Sequence, residues 1–370
     1  MSNILNIVVA VFALLGCIDR MLNNRFGLGE EFERGFHLFG SLALSMIGMI
    51  VMVPLLSELM QPLLNFLHDM LGMEPSILPT SLIANDMGGA AMAVQVAADP
   101  ELGMFNGLVV SCMMGGTIAF TIPVSLTAVR KEQHRELLLG MLCGIVTIPV
   151  GCLVGGLLAG IPLGKLLGNL LPLIFFSAAI AAGLACCPDI CARIFGMLGV
   201  LIKGLITLGL ALSILRYLTG VEIIPGLTSL EEAAAISLSC SIFLAGVLPM
   251  LSLLSRAIAR PMSALSHRLR VNEQSVMGFV ATLASSVTTF AMMEKMDKKG
   301  VLLNSAFAIS AAFAFADHLA FTMTFNGTYV GIVTIAKLAG GVTSVMLGCV
   351  LYGRIYGKEN GDGENRSRTC

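Results

Sequence analysis

The stretch Ser81-Leu-Ile-Ala-Asn-Asp-Met-Gly-Gly-Ala-Ala-Met-Ala93 places a carboxylate, Asp86, and a glycine pair, Gly88-Gly89, inside a run otherwise apolar enough to enter a bilayer. An ionisable side chain at membrane depth costs about 2.5–3.5 kcal/mol even on lenient insertion scales, so it usually holds an ion, a proton or a charged substrate. A second carboxylate, Asp317, lies in the equally apolar run Ala312–Phe321. Two such sites in opposite halves of the chain predict a transporter.

The composition of the chain is that of an integral membrane protein. Of its 370 residues, 56% are hydrophobic and 12% are charged, and the mean hydropathy is +0.89, whereas soluble domains carry about 25% charged residues. We therefore expect an all-α polytopic protein in a lipid bilayer. The net charge of −1 and the lack of long basic runs argue against a nucleic-acid partner.

The ten cysteines do not predict a metal site. Most lie inside apolar segments, where cysteine behaves as a small hydrophobe. The cluster Cys186-Cys187-Pro-Asp-Ile-Cys191 lacks the paired spacing of zinc sites. We expect no metal and no other cofactor.

Nine apolar segments are near the length of about 20 residues that a crossing helix needs. They cover residues 4–20, 36–60, 104–129, 136–160, 166–187, 193–218, 233–255, 300–325 and 328–352. Two further segments, 76–98 and 276–293, are apolar but interrupted by polar residues and glycines. Their topology decides the orientation of the whole chain.

The basic loops favour two interrupted segments that enter the membrane and return. If both segments crossed, the loop Arg130–Arg135 would lie opposite the loop that holds Arg20, Arg25 and Arg34, against the positive-inside bias. If both return, the basic segments 20–34, 130–135, 256–270, 295–299 and the C-terminal tail share one side. The sequence thus predicts nine spans plus two re-entrant or broken helices, with the C-terminus in the cytoplasm.

Weak internal similarity predicts two repeats within a single membrane domain, residues 1–353. Ser41…Pro54-Leu-Leu-Ser57 resembles Ser237…Pro249-Met-Leu-Ser252. The halves would be residues 1–160 and 193–352, joined by a helix at 166–187, in the inverted arrangement common among secondary transporters. Chance similarity between glycine-rich apolar strings is the alternative. The polar tail 354–370 is expected to be disordered in the cytoplasm, and the oligomeric state, including a homo-oligomer, is left open.

Several polar residues are candidates for binding a small substrate near Asp86. The amides Asn85 and Asn304 are the preferred pair, because both lie in apolar segments. The other candidates are Ser285, Ser286 and Thr117, together with the backbone at Gly88 and Gly89. The alternative role of these side chains is to bond backbone groups that a helix break leaves free.

Asp317 and His318 also have two interpretations. Asp317 could form a buried ion pair with Lys337 or Lys203, or it could join Asp86 in binding a cation. The two roles are compatible, because a substrate ammonium could displace the lysine. An aspartyl-protease dyad is disfavoured, since the contexts Asn-Asp86 and Ala-Asp317 lack that motif, so we do not expect an enzyme.

The chain resembles the ethanolamine-utilisation permease family (EutH) over nearly its whole length. The matching strings include Asp86-Met-Gly-Gly89, Gly144-Ile-Val-Thr-Ile-Pro149, Ala306-Phe-Ala…Ser310-Ala-Ala-Phe-Ala314, Asp317-His-Leu319 and Lys337-Leu…Gly340-Gly-Val-Thr343. The resemblance implies an inner-membrane facilitator for ethanolamine that serves cytosolic ethanolamine breakdown, chiefly at low pH, with Asp86, Asp317, His318 and Lys337 carried over.

The chain departs from the family pattern at three places. It has Asn85-Asp86 where we expect Cys-Asp, Ser285-Ser286 where we expect two asparagines, and Gly115-Gly116 where we expect Gly-Pro. These differences put the contacts of the second interrupted segment in doubt. The alternatives are an ion-coupled symporter for another small amine or polar solute, and a membrane scaffold or enzyme.

Overall fold

The computed structural model describes residues 2–258 and 262–367, with side chains for 4–256 and 266–356, and this part of the chain is helical without a strand. Eight helical segments are long and apolar enough to cross a membrane. The predicted all-α polytopic fold is confirmed. The helices are α1 Ser2–Met21, α2 Leu28–Leu71, α3 Ile77–Leu82, α4 Gly89–Val96, α5 Pro100–Phe105, α6 Ile122–Ala128, α7 His134–Leu158, α8 Leu163–Cys186, α9 Pro188–Thr219, α10 Leu230–Ile258, α11 Met262–Leu269, α12 Glu273–Ala284, α13 Ser286–Met292, α14 Lys298–Ala311, α15 Asp317–Asn326 and α16 Val330–Ser367.

The predicted span 300–325 is not one helix. For this reason the described part of the structure has eight helical segments long enough to cross, one fewer than the nine expected. Helix α14 ends at Ala311 and α15 begins at Asp317, and with 14 and 10 residues each is shorter than a crossing helix. The break covers residues 312–316, all of them alanine or phenylalanine. Hydropathy could not reveal it, because the unwound residues are as apolar as the helices around them.

The first interrupted segment folds back on itself as a hairpin, residues 74–98, here called hairpin 1. Helix α3 and helix α4 form its two arms. The backbone N–H of Ala98 donates to Glu74 Oε1 at 3.0 Å, whereas a continuous helix would hold these residues about 36 Å apart. Both ends of hairpin 1 therefore lie at the same face of the protein.

The second interrupted segment forms a matching hairpin, residues 272–297, here called hairpin 2. Asn272 Nδ2 donates to the carbonyl of Lys295 at 2.8 Å, which joins the two ends. Between the arms, Thr289 Oγ1 donates to the carbonyl of Gly278 at 3.0 Å. The arms α12 and α13 are thus antiparallel, and the break lies at Ser285.

The order of elements repeats along the chain. Each half has two long helices, a hairpin, an irregular helix and another long helix. The irregular helix is Pro100–Ala128 in the first half, α1 to α7, and the pair α14 and α15 in the second half, α9 to α16; α8 lies between the halves. Gly48 packs against the carbonyl of Ile206, and Gly246 packs against the carbonyl of Val9. Gly246 lies 198 positions after Gly48, and Ile206 lies 197 after Val9, so the two halves exchange equivalent contacts.

The basic segments contact one another at one end of the molecule. Arg256 Nη1 donates to the carbonyl of Phe26 at 2.7 Å, and Lys299 Nζ donates to that of Leu269 at 2.6 Å. Two more contacts, Arg130 with Glu294 and Arg135 over the ring of Tyr356 at 5.2 Å, link the loop 130–135 to hairpin 2 and to α16. This grouping agrees with the loops that the charge pattern places on one side.

Two basic side chains lie among segments predicted for the opposite side, and both are paired with acids. Lys165 Nζ lies 2.6 Å from Asp99 Oδ2 and 2.7 Å from Glu101 Oε2. Arg216 Nη1 lies 3.1 Å from Glu222 Oε1. On the side predicted to lie opposite the basic loops, each of these two positive charges is therefore neutralised by a neighbouring acidic side chain.

The last helix extends beyond the predicted boundary of the tail. Helix α16 is assigned as far as Ser367, and the expected disorder of the cytoplasmic tail 354–370 stays a prediction. Adding residues to an existing helix avoids the cost of nucleating a new one, so a polar segment can continue a long apolar helix. Residues 368–370 of the predicted tail lie outside the described part of the chain.

Candidate functional site

A central cavity of about 340 Å³ lies where hairpin 1 meets the break between α14 and α15. Both predicted carboxylates, Asp86 and Asp317, line it together with His318 and Lys337. The remaining lining residues are Ser41, Leu42, Ser45, Ala84, Met87, Cys112, Gly116, Phe120, Thr121, Ile309, Ala312 and Phe313. The volume is at the lower end of the range for ligand pockets, about 300–1,000 Å³, and suits a small molecule.

The tip of hairpin 1 presents Asp86 to this cavity. Residues Asn85–Met87 form a single 3₁₀ turn, and Gly88 follows with φ of 91°, a conformation that favours glycine. A Cβ at Gly88 would lie 2.6 Å from Met49 Cγ. The backbone therefore turns sharply against α2, which leaves the Asp86 side chain 16% exposed within the protein.

The second half of the site is built from the broken helix. Asp317 is the first residue of α15, so its carboxylate lies in the first turn, where the helix dipole favours negative charge. His318 follows and is 7% exposed. On the opposite wall, Gly116 lies so close to the imidazole that a Cβ would be 3.2 Å from His318 Cε1. A larger residue at position 116 would press on the histidine ring.

Lys337 of α16 is buried and anchors the histidine. Its Nζ donates to the carbonyl of Cys112 at 3.0 Å and contacts His318 Nδ1, also at 3.0 Å. An ammonium has no acceptor, so Nδ1 accepts and the proton of a neutral imidazole is on Nε2. That nitrogen faces Asp86 Oδ1 at 3.9 Å, longer than a hydrogen bond. The sequence offered Lys337 as one possible partner of Asp317; in the structure its Nζ contacts His318 and the carbonyl of Cys112 instead.

The lysine named as the alternative partner does not reach the site. Lys203 lies on α9 with its side chain exposed. Among the lining residues, Asp86 and Asp317 carry negative charge and Lys337 carries positive charge. With both carboxylates ionised and the lysine protonated, the formal charge of the cavity wall is −1 when His318 is neutral.

The predicted amide pair, Asn85 and Asn304, is not brought together in the cavity wall. Asn304 Nδ2 donates to the carbonyls of Ser275 and Gly300 at 2.8 and 2.9 Å, which fastens hairpin 2 to α14. Asn85 is fully buried in the tip of hairpin 1, and neither its Oδ1 nor its Nδ2 has a partner among the described residues. An unpartnered buried amide is costly, so packing within the described residues does not explain Asn85.

The other polar candidates have contacts elsewhere or none. Thr117 Oγ1 bonds the carbonyls of Met113 at 2.6 Å and Ile309 at 3.1 Å, so it satisfies backbone groups. Ser285 and Ser286 form the tip of hairpin 2 and are not among the residues that line the cavity. The Ser286 hydroxyl is buried without a partner among the described residues.

Sequence reasoning missed several lining residues. Ser41 and Ser45 lie four positions apart on α2 and line the cavity from one helix face, a spacing visible in the sequence. Phe120 and Phe313 had no comparable signal, because phenylalanine in an apolar run is most often a core residue. Only the unwound backbone at residues 312–316 places Phe313 in the wall.

The fold and the site define a polytopic helical membrane protein of the permease class, with a charged cavity between a hairpin and a broken helix. The chain belongs to the ethanolamine utilisation protein EutH family, whose sequence model matches residues 1–351.

Curated relatives agree with this assignment. A protein named "Probable ethanolamine permease EutH" from Listeria monocytogenes is 38% identical over 357 residues, 96% of each chain. Another of that name from Escherichia coli K12 is 36% identical over 388 aligned positions, with 95% of each chain covered. The uncharacterized protein YxeR of Bacillus subtilis is 37% identical, with 91% of each chain covered. No solved structure matches the chain.

Proposed function

We propose that this protein is a facilitator that takes up ethanolamine in its ammonium form across the bacterial inner membrane, for breakdown in the cytosol. The observation that carries the proposal is the central cavity, whose wall contains two carboxylates, Asp86 and Asp317, and one buried lysine, Lys337. Names of the curated relatives supply the substrate. We infer a transporter rather than an enzyme, because the curated relatives of the family are named permeases.

The charge of the cavity selects for one positive charge. With a formal charge of −1, the wall is neutralised by a monovalent cation and not by a neutral or anionic solute. A buried charge is tolerated when a counter-charge compensates it. In this proposal Asp86 and Asp317 receive the ammonium, while Lys337 keeps the empty site from carrying two uncompensated carboxylates.

The remaining polar groups are proposed to bind the hydroxyl of the substrate. Ser41, Ser45 and Thr121 line the cavity and offer hydroxyls. Asn85 adjoins Asp86 at the hairpin tip and has unused hydrogen-bonding capacity. Asn304, which fastens hairpin 2, takes a structural role instead of the binding role that the sequence suggested.

The need for such a protein follows from the chemistry of amines. A primary amine with a pKa near that of lysine, about 10.4, is almost entirely protonated at neutral pH, and its membrane-permeant neutral fraction falls about tenfold for each pH unit below that. Passive diffusion of ethanolamine therefore fails first in acid. Uptake through the protein is proposed to matter most there.

The repeated elements support an alternating-access mechanism. If the broken helix α14–α15 is counted as one crossing, each half contains four crossing segments and one hairpin, and α8 adds a single crossing between them. The second half is therefore proposed to be inverted relative to the first. Hairpins 1 and 2 are then gates on opposite sides of the bilayer. The basic segments and the C-terminus are proposed to be cytoplasmic by the positive-inside rule.

Asp86→Asn tests the proposal. In proteoliposomes, the variant should lose uptake of labelled ethanolamine at pH 5.5 by an order of magnitude or more, since it removes a charge that faces the substrate ammonium. Asp189→Asn is the matched control, because Asp189 is exposed at the start of α9 and far in sequence from the site. Undiminished uptake by the Asp86 variant, with normal insertion of both proteins, would refute the assignment.

A further inference from the structure

Two aromatic rings complete the wall of the central cavity beside its charged groups. Phe313 and Phe120 both line the cavity, and their ring centroids are 5.5 Å apart with an interplanar angle of 74°. Phe313 also lies against the imidazole of His318, at 5.4 Å between centroids. Both phenylalanine side chains are only partly buried, so ring surface remains open to the cavity.

The backbone conformation of Phe313 indicates that its position is imposed by its surroundings. Its φ is 59°, in the left-handed region that bulky residues rarely adopt. Two hydrogen bonds from hairpin 2 hold this segment: Phe313 N–H donates to the carbonyl of Thr282 at 3.1 Å, and Phe315 N–H donates to that of Leu283 at 3.0 Å. Strained residues that are held in place in this way often serve function.

We propose that Phe313 and Phe120 form an aromatic wall that binds the ammonium of the substrate through the negative faces of the rings, an inference that rests on the proposed function. An ammonium within about 6 Å of a ring centroid is attracted by the ring quadrupole, and the attraction is strongest away from water. Asp86 and Asp317 take the N–H donors, and the rings contact the rest of the cationic head. The ligand class is a small primary ammonium with a short alkyl chain.

The wall also links the binding site to hairpin 2. The carbonyls of Thr282 and Leu283 belong to the last turn of the first arm, α12, and they accept hydrogen bonds from the unwound stretch that carries Phe313. A movement of this arm therefore moves the ring or breaks these bonds. In the proposed mechanism, hairpin 2 sets whether the aromatic wall is assembled around the substrate.

Substitution of each ring tests the wall. For the full-length protein in lipid nanodiscs, Phe313→Leu and Phe120→Leu should each weaken binding of ethanolamine by about five- to thirty-fold. Phe313→Tyr keeps the ring and should stay within about twofold of the wild type. Phe279→Leu is the matched control: Phe279 forms a similar edge-to-face pair with Phe307 but does not line the cavity. Equal affinity of the Leu variants, the control and the wild type would overturn the proposal.

Incorporation of progressively fluorinated phenylalanine at position 313 separates electrostatics from packing. Fluorine weakens the ring quadrupole with little change in size, so the logarithm of ethanolamine affinity should fall steadily with each added fluorine. An affinity that does not change across the series rejects the wall as a cation site. If Phe313→Leu fails to fold, Phe313→Asn provides the comparison, since asparagine tolerates a positive φ; it should lose affinity to a similar degree.

A panel of small ligands distinguishes this inference from the proposed function. Methylammonium and ethylene glycol are measured beside ethanolamine. If methylammonium binds and weakens along the fluorine series while ethanolamine does not bind, the wall stands and ethanolamine is the wrong substrate. If ethanolamine binds and its affinity does not change along the fluorine series, the proposed function stands without the aromatic wall. Absence of binding for both ammonium ions overturns both.

Discussion

Lys337 Nζ lies 3.0 Å from His318 Nδ1, so a buried ammonium determines which nitrogen of the imidazole faces Asp86. The lysine comes from the final long helix, the histidine from the broken helix and the aspartate from hairpin 1. Hairpin 1 and the two consecutive helices α15 and α16 therefore meet at one cluster of polar side chains. A change at any of them should affect the other two, which makes this cluster the first place to test.

Removal of the lysine charge should change the preferred charge of the ligand. Lys337→Met leaves the cavity wall with two carboxylates and no buried cation, so its formal charge is −2 when both carboxylates are ionised. We expect binding of the dication of 1,2-diaminoethane, relative to ethanolamine, to improve by about tenfold, or about 1.4 kcal/mol. Competition against labelled ethanolamine at pH 5.5 measures the ratio. An unchanged affinity ratio would contradict the formal charge of −1 assigned to the cavity wall of the wild type.

Loss of the histidine should destabilise the protein through the lysine it partners. His318→Ala leaves the Lys337 ammonium with the carbonyl of Cys112 as its remaining contact. An orphaned buried donor costs about 1–3 kcal/mol, more when it is charged. The midpoint of thermal unfolding in detergent should fall for His318→Ala and fall less for His318→Gln, which retains an acceptor. Equal midpoints for the two variants would argue against the contact.

The turn at Gly88 should not tolerate a side chain. Gly88→Ala places a Cβ against Met49 at a φ of 91°, so both strain and collision oppose it. We expect a loss of stability above about 1 kcal/mol and reduced ethanolamine uptake, because the tip that carries Asp86 must shift. Gly40→Ala is the control, since nothing lies within 4 Å of a Cβ there. Similar melting curves for the two variants would count against this view of the tip.

A thiol introduced into the cavity wall should be protected by substrate. Ser45→Cys on α2 lines the cavity, whereas the control Ser239→Cys on α10 lines a separate groove beside α1. A cationic aminoethyl thiol reagent should modify the cysteine at position 45 more slowly in saturating ethanolamine, by about tenfold or more, because an occupied site excludes the reagent. The rate at position 239 should not change. Loss of protection in an Asp86→Asn background would tie the effect to the carboxylate.

The orientation of the chain is open to a labelling test. Asp69 at the end of α2 and Lys131 before α7 are both exposed. Under the proposed topology, Asp69→Cys reacts with an impermeant reagent from outside intact cells, and Lys131→Cys reacts only after permeabilisation. If both cysteines react from the same side, hairpin 1 crosses the membrane instead of returning.

The sequence predicted the charged core of the site because charge in a membrane is costly. Asp86, Asp317, His318 and Lys337 stand out in apolar runs, and all four line the cavity. The two hairpins were also visible, since polar residues and glycines interrupt their helices. In these cases a polar or charged residue in an apolar run marks the position of the candidate site or of a helix break.

The sequence does not mark the break at residues 312–316 or the role of Asn304 by any charged residue in an apolar run. The break at residues 312–316 is built from alanine and phenylalanine alone, and Phe313 adopts its left-handed conformation because hairpin 2 bonds it there. Asn304 looked like a binding residue because its polarity is visible in the sequence but its backbone partners are not. Tertiary contacts decide both cases.

The exchange of contacts between Gly48 with Ile206 and Gly246 with Val9 gives the molecule an internal duplicate. A Cβ at either glycine would collide with a backbone carbonyl, but the residues around the two positions differ. Where Gly48→Ala and Gly246→Ala have equal effects, the two halves still behave as copies. Where the effects differ, the difference measures how far the surroundings of the two glycines have diverged.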